Sequence, residues 1–265
     1  MQRYPLYFKE RSMKNMFKGL AAAVLVFAVA TPVSAASFDL SFNTQNSGAQ
    51  NSLTYSYNDG LDSLRVTGLS GQNGSSIFSS NVQTWNGWGM GMQGNRSHRV
   101  SNNFSNGQRV YQMVMFDFGR DVSLDSFTVG DSFRGNNNWA SVLAFTDSGS
   151  LPTLTDLSWG QLLEKGFSTA GDDPNTYTGV ANGKPKLVDG SLTSQYWLVG
   201  VYNAVFSDNP MHTYYEGFKL TGISFSTIEV SEVPLPAAAW LFLTGLAGMT
   251  WMKKRKQKRD QLQAA

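Results

Sequence analysis

An uncharged apolar run near the end of the sequence restricts what this chain can become more than any other feature. Residues 233–252 contain no Asp, Glu, Lys or Arg, and as an α-helix they would extend about 30 Å, the thickness of a bilayer core. Six of the next seven residues are basic: Lys253, Lys254, Arg255, Lys256, Lys258 and Arg259. Because such a cluster stops transfer and stays in the cytoplasm, we predict a C-terminal transmembrane helix. A buried core helix is the alternative, but it leaves the basic cluster unexplained.

A shorter apolar segment, residues 20–30, follows Lys14 and Lys18 near the start of the sequence. Its length, the break at Pro32 and the small residues that follow are typical of a secretory signal peptide. We therefore predict a signal peptide over residues 1–35, cut after Ala35, with Ala36 as the alternative last residue. Residues 1–12 are unusual ahead of a signal peptide, so Met13 is an alternative start. An uncleaved membrane anchor is the other alternative for this segment.

Removing the two predicted targeting segments changes the charge of what remains. Residues 36–252 contain ten Lys and Arg against seventeen Asp and Glu, a net charge of −7. An acidic exported domain does not favour nucleic acid as a partner. The chain has no cysteine, which excludes disulfides and thiolate sites. Residues 36–232 are long enough to form one well-buried ectodomain, and residues 233–265 form the tail.

Short runs of alternating apolar and polar residues, separated by turn residues, predict an all-β ectodomain of the β-sandwich or jelly-roll type. A hairpin is predicted around Asn58 and Gly60, and a bulge at Gly222, where the alternation slips. Residues 155–165 predict one short helix closed by Gly166. The glycine- and asparagine-rich segments 71–107 and 169–190 are predicted to be loops. The main predicted strands are residues 37–42, 53–57, 63–67, 110–118 and 122–129 (joined by a turn at 119–121), 139–146, 195–202 and 218–230.

The tail resembles a known class of sorting signal. Val233, Pro234, Leu235, Pro236 and Ala237, followed by a glycine-bearing span and the basic end, resemble the VPLPA variant of the PEP-CTERM signals. The resemblance implies processing by an exosortase, a membrane protease and transpeptidase of Gram-negative bacteria. Leu235 stands where the name-giving Glu of Pro-Glu-Pro would be, which leaves open the exosortase subtype and the position of the cut.

The ectodomain resembles the exosortase-dependent surface protein family in four stretches between about residues 85 and 223. These stretches are residues 88–92, 115–130, 141–146, and 194–203 with 218–220. Met90 replaces a glycine of the family's first segment. The family has no assigned catalytic residue to carry over, and exosortase systems accompany the production of extracellular polysaccharide. The resemblance therefore implies a role in the cell envelope or the exopolysaccharide matrix.

Residues able to support catalysis or bind a metal form no recognisable pattern. His98 and His212 are the only histidines, and neither has a partner at zinc-ligand spacing. The G-x-S-x-G motif of a serine nucleophile is absent, so we predict no catalytic residue, no metal site and no enzyme. Residues 59–62, 131–138 and 171–175 gather the oxygen ligands that calcium prefers. The alternative for these three segments is solvated turns, in which Asp, Asn and Gly are common anyway.

Trp85 and Trp88 are the candidate ligand-binding residues, because they lie in a glycine-rich segment where exposed aromatic rings could stack on a sugar. The alternative is that both pack over the end of the sandwich.

We expect, from these features together, an exported bacterial surface protein with a non-catalytic structural or adhesive role. A carbohydrate-binding module is the alternative, and an extracellular hydrolase is the least favoured. The expected partners are an exosortase, the secretion machinery, the membrane (transiently or permanently) and extracellular polysaccharide. The precursor would reside in the inner membrane, and the product of tail processing at the cell surface.

Overall fold

Alternating apolar and polar residues in the middle of the chain form β-strands, as the sequence predicts. The computed structural model describes residues 35–44, 46–60, 62–93, 98–105, 108–134, 137–170, 177–189, 191–207 and 215–227. In this part of the chain, fourteen strands pair in one large antiparallel sheet. One α-helix and three short 3₁₀ helices accompany them. The predicted all-β class is confirmed.

The strands, numbered in chain order, are β1 (Ser37–Ser41), β2 (Ser52–Tyr57), β3 (Asp62–Gln72), β4 (Phe78–Ser80), β5 (Val82–Trp85), β6 (Gly89–Met92), β7 (Val100–Ser105), β8 (Gln108–Gly130), β9 (Asn138–Phe145), β10 (Phe167–Thr169), β11 (Tyr177–Val180), β12 (Pro185–Leu187), β13 (Ser194–Val201) and β14 (Gly217–Thr227).

The two predicted membrane-associated segments fall almost entirely outside the described residues. The signal peptide lies there up to residue 34, as does the whole of the tail, residues 233–265. Among the helices that the structure does describe, none is long and apolar enough to cross a membrane.

Strand β8 is the longest strand of the described sheet and connects its two halves. Its first half pairs with β3 and β13, and its second half pairs with β14 and β12. The predicted turn at residues 119–121 is wrong, because the strand continues through them. On β13, Ser194 pairs with Val122 of β8, whereas Tyr196 pairs with Asp117. The β8 residues between Asp117 and Val122 are therefore out of register with β13. The polar, exposed residues 119–121 therefore mark a bulge at which β8 changes partners, rather than a hairpin.

Both faces of the first half of β8 are largely buried, which explains why apolar residues occupy both faces of this strand. On one face, Val114 and Phe116 belong to a core cluster that also contains Trp197 of β13 and Phe225 of β14. We call this the first core cluster. On the other face, Met113 belongs to a second core cluster, with Leu143, Leu198, Trp159 and Phe206. The sheet thus lies between two apolar layers.

The predicted helix forms, but it is shorter than its apolar pattern suggests. A 3₁₀ helix spans Leu154–Asp156, and helix α1 spans Trp159–Glu164. The Gln161 side chain accepts a hydrogen bond from the Ser158 backbone (2.9 Å), as in a capping box. Gly166 follows the helix with a φ of +93°. Buried Trp159 fixes α1 on the sheet, since its indole N–H donates to the Gly71 carbonyl of β3 at 2.9 Å.

Two local predictions about the strands are confirmed. Strands β2 and β3 form the expected hairpin, closed by the short 3₁₀ helix Asn58–Gly60. On β14, Leu220 faces Val129 while Gly222 faces Thr128, so one extra residue is inserted at the predicted bulge.

The prediction of long loops over residues 71–107 and 169–190 is wrong in part. Strands β4 to β7 lie within the first segment, and β11 and β12 within the second. The glycines of β6 are there because neighbouring backbone comes too close for a side chain. A Cβ on Gly89 would lie 2.4 Å from the Leu220 carbonyl oxygen, and one on Gly91 would lie 1.8 Å from that of His98.

Candidate functional site

Trp85 and Trp88 lie at the two ends of the tight turn that joins β5 to β6. The Trp88 backbone N–H donates to the Trp85 carbonyl at 3.0 Å. Gly87, between them, has a φ of +78°, a conformation that glycine adopts without strain. The turn therefore holds the two indoles close to each other.

The two tryptophans differ in exposure. Trp88 is 58% exposed, the largest exposure of any aromatic side chain among the described residues. Trp85 is only partly exposed, and its ring packs against the His98 ring, with centroids 5.4 Å apart. Trp88 is therefore available to a ligand, whereas Trp85 serves mainly to support the turn.

A buried lysine from the start of β14 reaches both indoles. The Lys219 ammonium lies 4.3 Å from the Trp85 ring centroid and 5.6 Å from that of Trp88. It is also paired with a carboxylate oxygen of Asp131 at 3.2 Å. Cation–π contacts of this kind gain strength when the cation is desolvated, and the Lys219 side chain is only 9% exposed.

Asp131 joins this lysine to a second aromatic group. Its other carboxylate oxygen accepts a hydrogen bond from Arg99 at 2.5 Å, and its backbone carbonyl accepts from the Arg99 Nε. The Arg99 guanidinium in turn lies 4.0 Å above the ring of Phe133. Phe133 is 42% exposed and packs against Tyr215, with centroids 4.6 Å apart.

These contacts define one surface, which we call the aromatic patch: the exposed rings of Trp88 and Phe133, with Trp85, Arg99, Asp131 and Lys219 beside and beneath them. The sequence predicts only its two tryptophans. The signal that could have pointed to Phe133 is an aromatic residue within a polar turn, next to Asp131 and Arg134.

Four tyrosines of the described sheet are poorly suited to act as bases near neutral pH. Burial raises the pKa of Tyr55 to about 12, and the nearby Thr84 hydroxyl only partly offsets this effect. Burial also raises the pKa values of Tyr57, Tyr111 and Tyr196. A tyrosine that acts as a base needs its pKa shifted in the opposite direction.

The described carboxylates of the candidate calcium segments are bound to other side chains. Asp62 pairs with Arg120 at 3.1 Å and accepts a hydrogen bond from Asn58 at 2.8 Å. Asp131 is held by Arg99 and Lys219. Across the described ranges, no group of three or more His, Asp and Glu side chains gathers as metal ligands would. Residues 171–175, like His212, lie outside those ranges.

The predicted signal cleavage site lies where the described sheet begins. Ala35 and Ala36 immediately precede β1, and the Ala36 carbonyl accepts a hydrogen bond from the Thr227 backbone at 2.9 Å. The sorting residues Val233, Pro234, Leu235, Pro236 and Ala237 lie outside the described residues, as does the basic cluster from Lys253 to Arg259.

No protein-family profile, no curated protein and no solved structure matches this chain.

Proposed function

We propose that this chain is an exported bacterial surface protein whose tail is processed by an exosortase and whose role is structural or adhesive rather than catalytic. The observation that carries the proposal is the order of elements in residues 233–259. A proline-bearing start, an uncharged span of bilayer length and a basic end follow one another there. Together with the resemblance of the ectodomain to exosortase-dependent surface proteins, this order supports a role in the envelope or the exopolysaccharide matrix.

We also propose a β-sandwich of jelly-roll type for the ectodomain, residues 36–232. Phe225 of β14 contacts Tyr57 of β2 and Phe118 in the first half of β8, with centroid distances of 5.0 and 4.6 Å. Tyr57 lies on a strand that is not paired with β14, and Phe118 lies outside residues 122–130, the part of β8 that pairs with β14. Both rings nevertheless meet Phe225 within the first core cluster. Contacts of this kind support two sheet halves packed face to face.

A carbohydrate-binding module is the second candidate function, and the exposure of Trp88 favours it. Trp88 is the most exposed aromatic side chain of the described residues, and a second exposed ring, Phe133, lies in the same patch. In this version of the proposal, the protein attaches to extracellular polysaccharide through the aromatic patch.

Processing of the tail provides the test of the first proposal. Pro234 and Pro236 lack a backbone N–H and disfavour helix in the residues before them, so they keep the chain extended ahead of the apolar span. An extended backbone is the form that a protease can bind. We therefore expect cleavage close to residues 233–237, releasing a product without a membrane span.

The experiment compares the protein in producing cells with the exosortase present and deleted, using intact mass and membrane fractionation. Replacing both prolines (Pro234→Ala with Pro236→Ala) should leave the uncut precursor in the membrane. Pro152→Ala, in a described loop far along the chain from the tail, serves as the control and should be processed normally. A mature protein that keeps its full tail while the exosortase is active would contradict the proposal and favour a permanent single-span anchor.

A further inference from the structure

The two exposed rings of the aromatic patch are fixed to the same face of one strand. The Phe133 backbone N–H donates to the Gly217 carbonyl at 2.9 Å, and a Cβ built on Gly217 would point into the Phe133 ring. Lys219, two residues further along β14, extends its side chain to Trp88. Residues two apart on a strand share a face and lie about 7 Å apart. Trp88 and Phe133 are therefore attached to neighbouring positions on one rigid support.

The charges of the patch are directed towards one another rather than towards solvent. Both carboxylate oxygens of Asp131 are occupied, one by Arg99 and the other by Lys219. The side chains of Arg99, Asp131 and Lys219 are 16%, 18% and 9% exposed. What the patch offers to a ligand is thus mainly the exposed portions of two aromatic rings, Trp88 and Phe133, the second of which has the Arg99 guanidinium over one face.

The surroundings of the rings are polar and suit a ligand that hydrogen-bonds. Asn86 and Gly87, which precede Trp88, are exposed. Surfaces that bind proteins usually expose one contiguous apolar area, whereas here two single rings stand among polar groups. Sugars combine apolar C–H faces, which suit the electron-rich face of an aromatic ring, with hydroxyl groups that suit the polar surroundings.

Overall charge argues against an acidic polysaccharide. The chain between the two predicted targeting segments has a net charge of −7, and like charge disfavours the approach of a polyanion at low salt. No lysine or arginine of the patch is exposed enough to outweigh this repulsion, since the side chains of both Arg99 and Lys219 are more than four-fifths buried.

We infer that Trp88 and Phe133 form a two-ring binding site for an uncharged polysaccharide, each ring stacking on a different sugar of the same chain. The inference rests on the carbohydrate-binding function proposed above and specifies its ligand class. Trp85 and Lys219 are positioning residues, because they hold the Trp88 indole at the surface without facing the sugar.

The test measures binding of the full-length protein, purified in detergent, to two groups of bead-coupled glycans. The uncharged group is dextran, mannan, galactan and a β-glucan, and the acidic group is alginate and polygalacturonate. We expect retention on at least one uncharged glycan, unchanged at about 1 M salt, where charge interactions are screened beyond about 3 Å.

Trp88→Ala and Phe133→Ala should each weaken binding about three- to tenfold, the effect of losing one aromatic contact. The matched control is Phe78→Ala. It removes an aromatic side chain of similar exposure (50%) from β4, and its affinity should equal that of the wild type. Melting curves of all three variants should stay close to that of the wild type, because the three rings are exposed.

Three results would overturn the inference, and they can be told apart. Retention by the acidic glycans alone, lost at high salt, would overturn the uncharged class but keep a carbohydrate-binding function. A Phe133→Ala variant that binds like the wild type would overturn the two-ring site. Retention on no glycan would overturn both the inference and the carbohydrate-binding candidate, while the surface-protein proposal stands or falls separately on tail processing.

Discussion

Replacing Asp131 with Asn removes the charge of this side chain and changes almost nothing else. Its φ is +44°, a left-handed conformation that Asn tolerates as well as Asp does. Asp131→Asn therefore keeps the size and backbone preference of the side chain. The substitution removes the negative charge of a carboxylate whose two oxygens lie 2.5 Å from the Arg99 guanidinium and 3.2 Å from the Lys219 ammonium.

The burial of these side chains determines how much unfolding free energy Asp131→Asn should cost. Removing one partner of a buried ion pair costs about 3–5 kcal/mol, because the remaining charge is left uncompensated. The three side chains retain 9–18% of their exposure, which places the expected loss of unfolding free energy near the lower end, at about 3 kcal/mol. For a domain of this size, the melting temperature should fall by about 6–12 °C.

The assay is urea unfolding followed by tryptophan fluorescence, with thermal melting as a second measurement. Asp121→Asn, at an exposed position on β8, is the control and should change the unfolding free energy by less than about 0.5 kcal/mol. Adding Lys219→Met to Asp131→Asn should recover part of the loss, since one of the two uncompensated cations is then gone. Equal stability of Asp131→Asn and the wild type would refute the view that this ion pair network supports the patch.

Two further outcomes follow from the sheet. Gly200→Ala should destabilise the protein by about 3 kcal/mol or more, because the new Cβ would lie 2.5 Å from the Gln112 carbonyl oxygen. Gly48→Ala, whose Cβ would have nothing within 4 Å, should be nearly neutral. Equal urea midpoints for the two variants would contradict this packing. The raised pKa of Tyr55 means that the folded state retains a proton that the unfolded state loses above pH 10, so stability should be complete below pH 10 and fall as the pH rises towards about 12. Tyr55→Phe should reduce that decline, and an identical pH profile for this variant would show that Tyr55 does not cause it.

The sequence predicts those parts of the fold in which local pattern and tertiary structure agree. The β2–β3 hairpin forms around Asn58 and Gly60 because the turn chemistry and the flanking alternation favour the same structure. The bulge at Gly222 is predictable because a change in apolar parity within a strand requires an extra residue.

The predictions of a loop at β6 and of a turn at residues 119–121 fail because contacts with residues far along the chain determine the structure there. Glycine within β6 suggests a loop on local grounds, but the contact that requires Gly89 comes from Leu220, far along the chain. Residues 119–121 have turn composition, yet strands from other parts of the chain hold β8 in one piece. Local propensity cannot register either effect.

The aromatic patch was only partly predictable for the same reason. Trp85 and Trp88 are neighbours in sequence, so a glycine-rich turn between them is enough to suggest an exposed pair. Arg99, Phe133 and Lys219 come from three separate segments, and only the pairing of β14 with β7 and β8 brings these segments together.

The hydrogen bond between Ala36 and Thr227 has a consequence for the time at which the ectodomain can fold. Among the described strands β1 pairs with β14 alone, so the first strand of the domain has no partner until the last strand is available. Contacts between residues so far apart in sequence form slowly, because the intervening chain must first be ordered. In the proposed export of the chain from its start to its end, β1 would lack its partner β14 for most of the passage. Completion of the sheet would then coincide with the arrival of the residues just before the apolar run, where translocation is proposed to stop.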